Sequence, residues 1–204
     1  MTANPTDPMG LDGFEFVEFV SPDPDVMKAH FETMGFVASH THPDGGVVRM
    51  KQGDISFLIN TSDGPHAIEF RDAHGPSAAG MAFKVKDAQS AYDLAIEKGA
   101  KPAEAPRNAL GDYPYVLQGI GGSFLYLVDK TGAEGLYDGW TETPGWREAE
   151  AEANVGLTLL DHLTHNVRKG QMRTWSGFYG DVFGFEEQKY FDIKGKATGL
   201  FSQA

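Results

Sequence analysis

Residues 13–60 read GFEFVEFVSPDPDVMKAHFETMGFVASHTHPDGGVVRMKQGDISFLIN. One strand, one helix and three short strands fit that order. Gly13–Val20 mixes apolar and acidic residues among strong β formers and reads as a strand. Ser21-Pro22-Asp23-Pro24 breaks it and opens a helix, with Val26, Met27, His30, Phe31 and Met34 at helical spacing and Gly35 at the C-terminal cap. Phe36–His40, Val47–Gln52 and Ile55–Asn60 then read as strands, joined by turns carrying Asp44-Gly45-Gly46 and Gly53-Asp54, both hairpin chemistry. The unit is β-α-β-β-β.

Working outward, the same order returns. Gly80–Val85 is a strand, and Asp87 caps a helix bearing Ala88, Ala91, Tyr92 and Ala95 that ends at Gly99. Lys101–Ala103, Tyr113–Leu117 and Ser123–Val128 follow as strands. A third copy starts with a strand at Leu157–Val167. Its helix carries Met172, Trp175, Phe178, Tyr179 and Val182 and ends at Phe183-Gly184-Phe185, and strands follow at Glu187–Ile193 and from Thr198 to Ser202. Matching helix ends, Met34-Gly35-Phe36 against Lys98-Gly99-Ala100, make this an internal repeat. Lys130–Asn154 separates the second and third copies. Its run Arg147–Ala153 reads as an acidic linker, with a solvated helical turn as the alternative. His66 and His74 fall in a polar Gly/Pro stretch and read as loop residues.

Composition narrows the function classes. With 17 Lys+Arg against 29 Asp+Glu, the formal charge of the 204 residues is −12, and no basic cluster offers a phosphate-binding face. Cysteine is absent, which excludes disulfides, thiolate metal sites and a cysteine nucleophile. No apolar run approaches the roughly 20 residues of a membrane span. The polar, proline-broken N-terminus lacks the features of a signal peptide, so the expected location is cytoplasmic. At 41% apolar residues the chain can build a core, and its 25 glycines and 11 prolines suit many short connections.

Chemistry-bearing motifs are few. Gly119-Ile120-Gly121-Gly122 precedes a strand rather than a helix and reads as a hairpin turn, not a phosphate loop. GxSxG, HExxH and EF-hand patterns are missing. His40 and His42 are two apart, so on a strand they share a face that could pair around a metal, but they lie at a loop mouth. His30 sits beside an apolar helix face and reads as packing or surface. In Asp161-His162-Leu163-Thr164-His165-Asn166-Val167 the two histidines are three apart, so on a strand at most one faces any site. An imidazole there suits Fe, Zn or Ni but needs further ligands, and spacing alone favours a hydrogen-bonded structural histidine.

Several segments resemble the bacterial 4-hydroxyphenylpyruvate dioxygenases: Asn4–Val17, His74–Ala88 (HGPSAAGMAFKVKDA), Gly119–Leu127 (GIGGSFLYL), Leu160–Val167 (LDHLTHNV) and Tyr190–Ala204 (YFDIKGKATGLFSQA). The resemblance implies an α+β, vicinal oxygen chelate fold (glyoxalase/dihydroxybiphenyl dioxygenase-like), in which repeated βαβββ modules form open barrels. It implies residues 1–129 as a metal-free N-terminal domain of two modules, 130–154 as an acidic linker, and 155–204 as the first part of an iron-binding C-terminal domain.

Family members hold Fe(II) through two histidines and a glutamate. His162 matches the first ligand, and the other two are implied to lie past Ala204. Thr164 and Ser202 match substrate-pocket positions. Aligning Glu15–Val20 on His162–Val167 puts Glu15 where the metal histidine would stand, consistent with a structural first domain. The implied reaction takes 4-hydroxyphenylpyruvate, an α-keto acid, and O₂ to homogentisate and CO₂, in a full-length homo-oligomer with no nucleic-acid or membrane partner. The −12 charge would repel the anionic substrate at long range, so capture depends on the local ferrous charge. These residues alone are expected to be inactive, with residues 157–204 the less well folded part, its open strand edges and apolar helix face exposed and inviting association with another chain. Hydroxymandelate synthase and a non-catalytic small-molecule-binding protein of the same fold are the competing readings.

Overall fold

The computed structural model describes residues 7–129, 135–193 and 200–203. Parts of three sequence expectations fall outside those residues: the start of the Asn4–Val17 segment, the head of the acidic linker, and residues 194–199.

The first repeat forms β1 (Phe14–Val20), α1 (Pro24–Thr33), β2 (Val37–Thr41), β3 (Val47–Gln52) and β4 (Ile55–Asn60). Helix α2 (Pro65–His74) lies between the repeats, and the second forms β5 (Ser77–Lys84), α3 (Ala88–Glu97), β6 (Val116–Gln118) and β7 (Phe124–Val128). These strands and β8 (Thr141–Glu142) make one open, mixed eight-stranded sheet in the order β6-β7-β5-β1-β4-β3-β2-β8. Its symmetry is that of the repeat. In each copy the first strand runs parallel to the last, β1 with β4 and β5 with β7, and the two first strands pair antiparallel at the centre. The fold is α+β, an open sheet rather than a closed barrel.

Local chemistry accounts for the repeated helices. Asp23 accepts the Val26 N–H at 3.2 Å and Asp87 the Ser90 N–H at 2.7 Å, N-caps each worth about 1 kcal/mol. The helices end at glycines with φ of +86° (Gly35), +94° (Gly99) and +76° (Gly184), a left-handed turn that glycine takes without strain. Strand Lys101–Ala103 shrinks to a bridge between Pro102 and Leu117. Proline has no N–H to donate, so the pairing rests on its neighbours: Ala103 N–H donates to Val116 O and Gln118 N–H to Lys101 O, each at 2.9 Å.

Both faces of the sheet are covered, which is why all five residues of β7 are buried. On one face α3 brings Ala88, Ala91 and Ala95 against Met81, Phe83, Leu125 and Leu127, and α1 packs Met27 and Phe31 onto Phe36, Met50 and Ile59. On the other, Phe16, Leu58, Ala82, Phe124 and Tyr126 are capped by Ala109, Tyr137 and Trp140.

Four expectations are corrected. The stretch read as loop around His66 and His74 is helix α2, opened by Pro65 and seated through Ala67 and Phe70 on Val20 and Ala79. Arg147–Ala153 lies within helix α4 (Trp146–Ala153), which packs on β2. Trp146 Nε1 donates to Glu142 Oε1 at 2.7 Å, and Arg147 pairs with the same carboxylate. Leu157–Val167 belongs to no ladder, because no strand among the described residues pairs with it. Helix α5 (Met172–Phe183) is not left with a bare apolar face. Val182 and Phe183 are buried in the α3 core, Phe183 at 5.3 Å from Phe83, and Lys98 Nζ donates to Asp181 O. Strands β9 (Tyr190–Ile193) and β10 (Leu200–Gln203) form a separate two-stranded sheet.

Candidate functional site

His162 stands on the irregular segment after α4, with its side chain 77% exposed. Nδ1 lies 3.0 Å from Asp161 Oδ2, and the hydrogen bond to the ring holds the Asp161 carboxyl below its ordinary range. A carboxylate on Nδ1 leaves Nε2 as the nitrogen that can bind a metal, the arrangement in which metal-ligating histidines are usually oriented. His162 therefore fits as one donor. Among the described residues no three His, Asp or Glu side chains converge on a metal position, so it fits as a single member of a larger set.

Thr164 and His165 help to line a cavity of about 430 Å³ between this segment and the sheet. Val17, Phe70 and Met81 give it an apolar wall, while His74, Ser77 and Ser123 add polar groups. Such a lining suits a small amphipathic molecule. The His165 ring sits against Tyr179, whose hydroxyl is 3.4 Å from Nδ1, and desolvation there lowers the imidazole pKa. Helix α2, not expected from the sequence, supplies Phe70 and His74; Pro65 at its start and Gly75 at its end are the signals that could have found it. Ser202 lies on β10 in register with Phe191 of β9, outside the eight-stranded sheet.

The inner face of the sheet carries a second polar centre. Glu18 is fully buried, accepting from Asn60 Nδ2 and from the Tyr126 hydroxyl, each at 2.7 Å. Burial, and then the Glu18 carboxylate, push the Tyr126 pKa far above the tyrosine range. On the same sheet, Arg49 donates to Ser56 Oγ through Nε and Nη2, and its guanidinium stacks 3.9 Å over Tyr137. Burial raises the Glu15 pKa, and Arg49 partly offsets the rise. The Tyr137 hydroxyl sits near Glu15 and Ser56 without a well-formed bond to either. Neither this centre nor Glu15 lines that cavity, and Glu15, at the matched position in the first repeat, is buried. His40 and His42 do not pair around a metal: His40 lies under Trp146 at 5.7 Å and His42 against Trp140 at 5.1 Å.

A paired-βαβββ sheet of this topology defines the glyoxalase-like class of fold. Residues 5–140 match the family model described as Hydroxyphenylpyruvate dioxygenase, HPPD, N-terminal. The chain belongs to the 4-hydroxyphenylpyruvate dioxygenase family. It is 47% identical over 201 residues to the 4-hydroxyphenylpyruvate dioxygenase of Pseudomonas aeruginosa, covering 97% of this chain and 56% of that one. It thus spans about half the length of the curated relatives it matches. Among solved structures, a xylose isomerase-like TIM barrel/4-hydroxyphenylpyruvate dioxygenase fusion protein superposes with a TM-score of 0.75 at 26% identity, over 96% of this chain and 30% of that one. A mutant of 4-hydroxymandelate synthase from Streptomyces coelicolor gives 0.72 at 20% identity, over 95% of this chain and 58% of that one, a likeness of fold alone.

Proposed function

We propose that this chain is the N-terminal portion of a 4-hydroxyphenylpyruvate dioxygenase, an Fe(II)-dependent oxidoreductase of tyrosine catabolism, cytoplasmic and homo-oligomeric at full length. The reaction consumes 4-hydroxyphenylpyruvate and O₂ and yields homogentisate and CO₂, the oxygen atoms of O₂ being divided between the ring hydroxyl and the new carboxylate. The observation that carries this reading is the extended likeness to the Pseudomonas aeruginosa dioxygenase, which covers 97% of this chain.

Fe(II), when bound, supplies the activation of O₂ and the chelation of the keto acid. The chain's own contribution is more limited. His162 donates one imidazole nitrogen, held in orientation by Asp161. Thr164 and Ser202 are assigned to the substrate pocket. One imidazole cannot retain iron, so the 204 residues alone are inactive and metal-poor.

The test is turnover by the full-length protein, with product identified by mass and chromatography. Homogentisate, lost in His162→Ala, supports the proposal; hydroxymandelate in its place, or full activity of His162→Ala, refutes it. For the 204-residue chain, calorimetry should show no binding of 4-hydroxyphenylpyruvate without metal, because metal-independent binding is the mark of a non-catalytic binding protein.

A further inference from the structure

We propose that Gln52 is a positioning residue, the centre of a clasp by which the N-terminal sheet fixes the course of the segment that carries His162. The proposal goes beyond the functional reading but rests on it for the importance of that segment. Gln52 ends β3, and its side chain is fully buried although it is an uncharged polar group at a strand end. A buried amide is costly unless satisfied, and here the partners come from distant chain. Nε2 donates to Met34 O at 2.7 Å, at the end of α1. Oε1 accepts from Val155 N–H at 3.1 Å and Leu157 N–H at 3.2 Å. One side chain thus bridges the first helix of the sheet domain and two alternate amides of a segment that belongs to no ladder.

Neighbouring contacts reinforce the clasp. Gly53 N–H donates to Glu150 Oε1 at 2.9 Å, and Asp54 N–H donates to Thr158 O at 3.1 Å. Two glycines make room for the approach. A Cβ on Gly35 would stand 2.7 Å from Ala153 O, and one on Gly53, where φ is +52°, would stand 2.7 Å from Leu157 O and 3.1 Å from Thr158 Cα. Residues 153–158 are therefore seated on the α1 and β3–β4 ends by hydrogen bonds and by backbone contact that side chains would prevent. Four residues on from Thr158 stands His162, at most about 14 Å of fully extended chain, so the seat sets where the imidazole can reach.

The test has two readouts. In the 204-residue chain, Gln52→Met keeps length and burial but removes the three bonds. Hydrogen exchange at the Val155 and Leu157 amides should accelerate roughly 10- to 100-fold, with the β3 and β4 ladders unchanged. Gln52→Glu, which can still accept both amides but sets an oxygen against Met34 O in place of the donor, should keep only part of that protection. Gly53→Ala reaches the same segment from its other side and carries the test if Gln52→Met does not fold. In the full-length protein, both Gln52→Met and Gly53→Ala should weaken Fe(II) binding on the order of tenfold, as loss of ligand-orienting contacts does elsewhere. Ile55→Val, a change within the core cluster under α1, should not. Unchanged exchange at Val155 and Leu157, or equal loss of iron affinity in Ile55→Val, overturns the proposal. Fe(II) binding that is indifferent to His162→Ala refutes the functional reading instead, and does so whatever the exchange experiment gives.

Discussion

Replacing Tyr126 by Phe removes one oxygen from the middle of the N-terminal domain, and the structure sets the consequence. That hydroxyl donates to Glu18 Oε2 at 2.7 Å and accepts the Ala109 N–H at 3.3 Å, with both side chains fully buried. Without it, among the described residues, Glu18 keeps only the Asn60 bond on Oε1. Its other oxygen faces Gly80, where a Cβ in place of the glycine hydrogen would already stand 2.9 Å away, so there is little room for replacement water. A hydrogen bond to a charged partner contributes about 1.5–3 kcal/mol, and the stranded amide adds to the loss. The expected destabilisation is about 3 kcal/mol, or roughly 6–12 °C in Tm for a domain of this size. Urea unfolding followed by tryptophan fluorescence measures it, because Trp140 caps the same inner face. Adding Glu18→Gln to Tyr126→Phe should recover part of the loss, since a neutral amide is cheaper to leave half-satisfied than a carboxylate. The double-mutant cycle should show coupling on the order of 1.5 kcal/mol. A single variant within about 0.5 kcal/mol of wild type, or an additive cycle, would refute this account of the buried centre.

Two further outcomes follow from other contacts. Glu15 has a raised folded-state pKa, so the folded chain holds that proton more tightly than the unfolded one, and the stability this confers is lost as pH rises from the ordinary carboxylate range through the folded pKa. The stability of wild type relative to Glu15→Gln should therefore fall across that window, and a flat or rising difference in urea titrations at several pH values would contradict the assignment. Phe183→Ala deletes the ring that anchors α5 on Phe83 and should cost about 3–5 kcal/mol of docking, read as early proteolytic cleavage between α4 and α5 while the sheet domain stays intact.

Legibility in the sequence follows the physics of each element. Strands β3 and β4 can be placed to the residue because their turns and β formers act locally, and the helices with acidic caps and glycine ends are equally plain. Helix α2 escapes a sequence reading because Ala67 and Phe70 are its apolar seats on the sheet, a stripe too thin to register as periodicity, and a further contact there is the stacking of His66 on Phe124, far away in sequence. Helix α4 resembles a linker because its glutamates suggest solvation, whereas Glu150 and Trp146 make their defining contacts with Gly53 and His40, far away in sequence. Leu157–Val167 has strand composition, but a strand is a relation between two segments and composition reports only one. Gln52 is invisible for the same reason, since its partners lie 103 and 105 positions on.

The repeats also bear on the different roles proposed for the first domain and for the His162 segment. Alignment matches Glu15 with His162, and the structure gives these positions opposite surroundings. Glu15 is buried near Arg49 and Tyr137, under a layer that includes Trp140, where any exchangeable ligand would first have to break a packed core. His162 is exposed, paired with Asp161, and carried on chain that no ladder constrains. A metal ligand needs both accessibility and fixed direction. The first position has direction without access; the second has access, with its ring held by Asp161 but its backbone outside any ladder among the described residues. The clasp at Gln52 supplies what the second lacks, so the N-terminal domain contributes to the proposed chemistry through geometry imposed at its edge and not through its sealed interior. Substitutions inside the Glu18 centre should therefore act on stability alone, whereas Gln52→Met should act chiefly on the His162 segment, and Gly53→Ala on that segment and on the β3–β4 turn together.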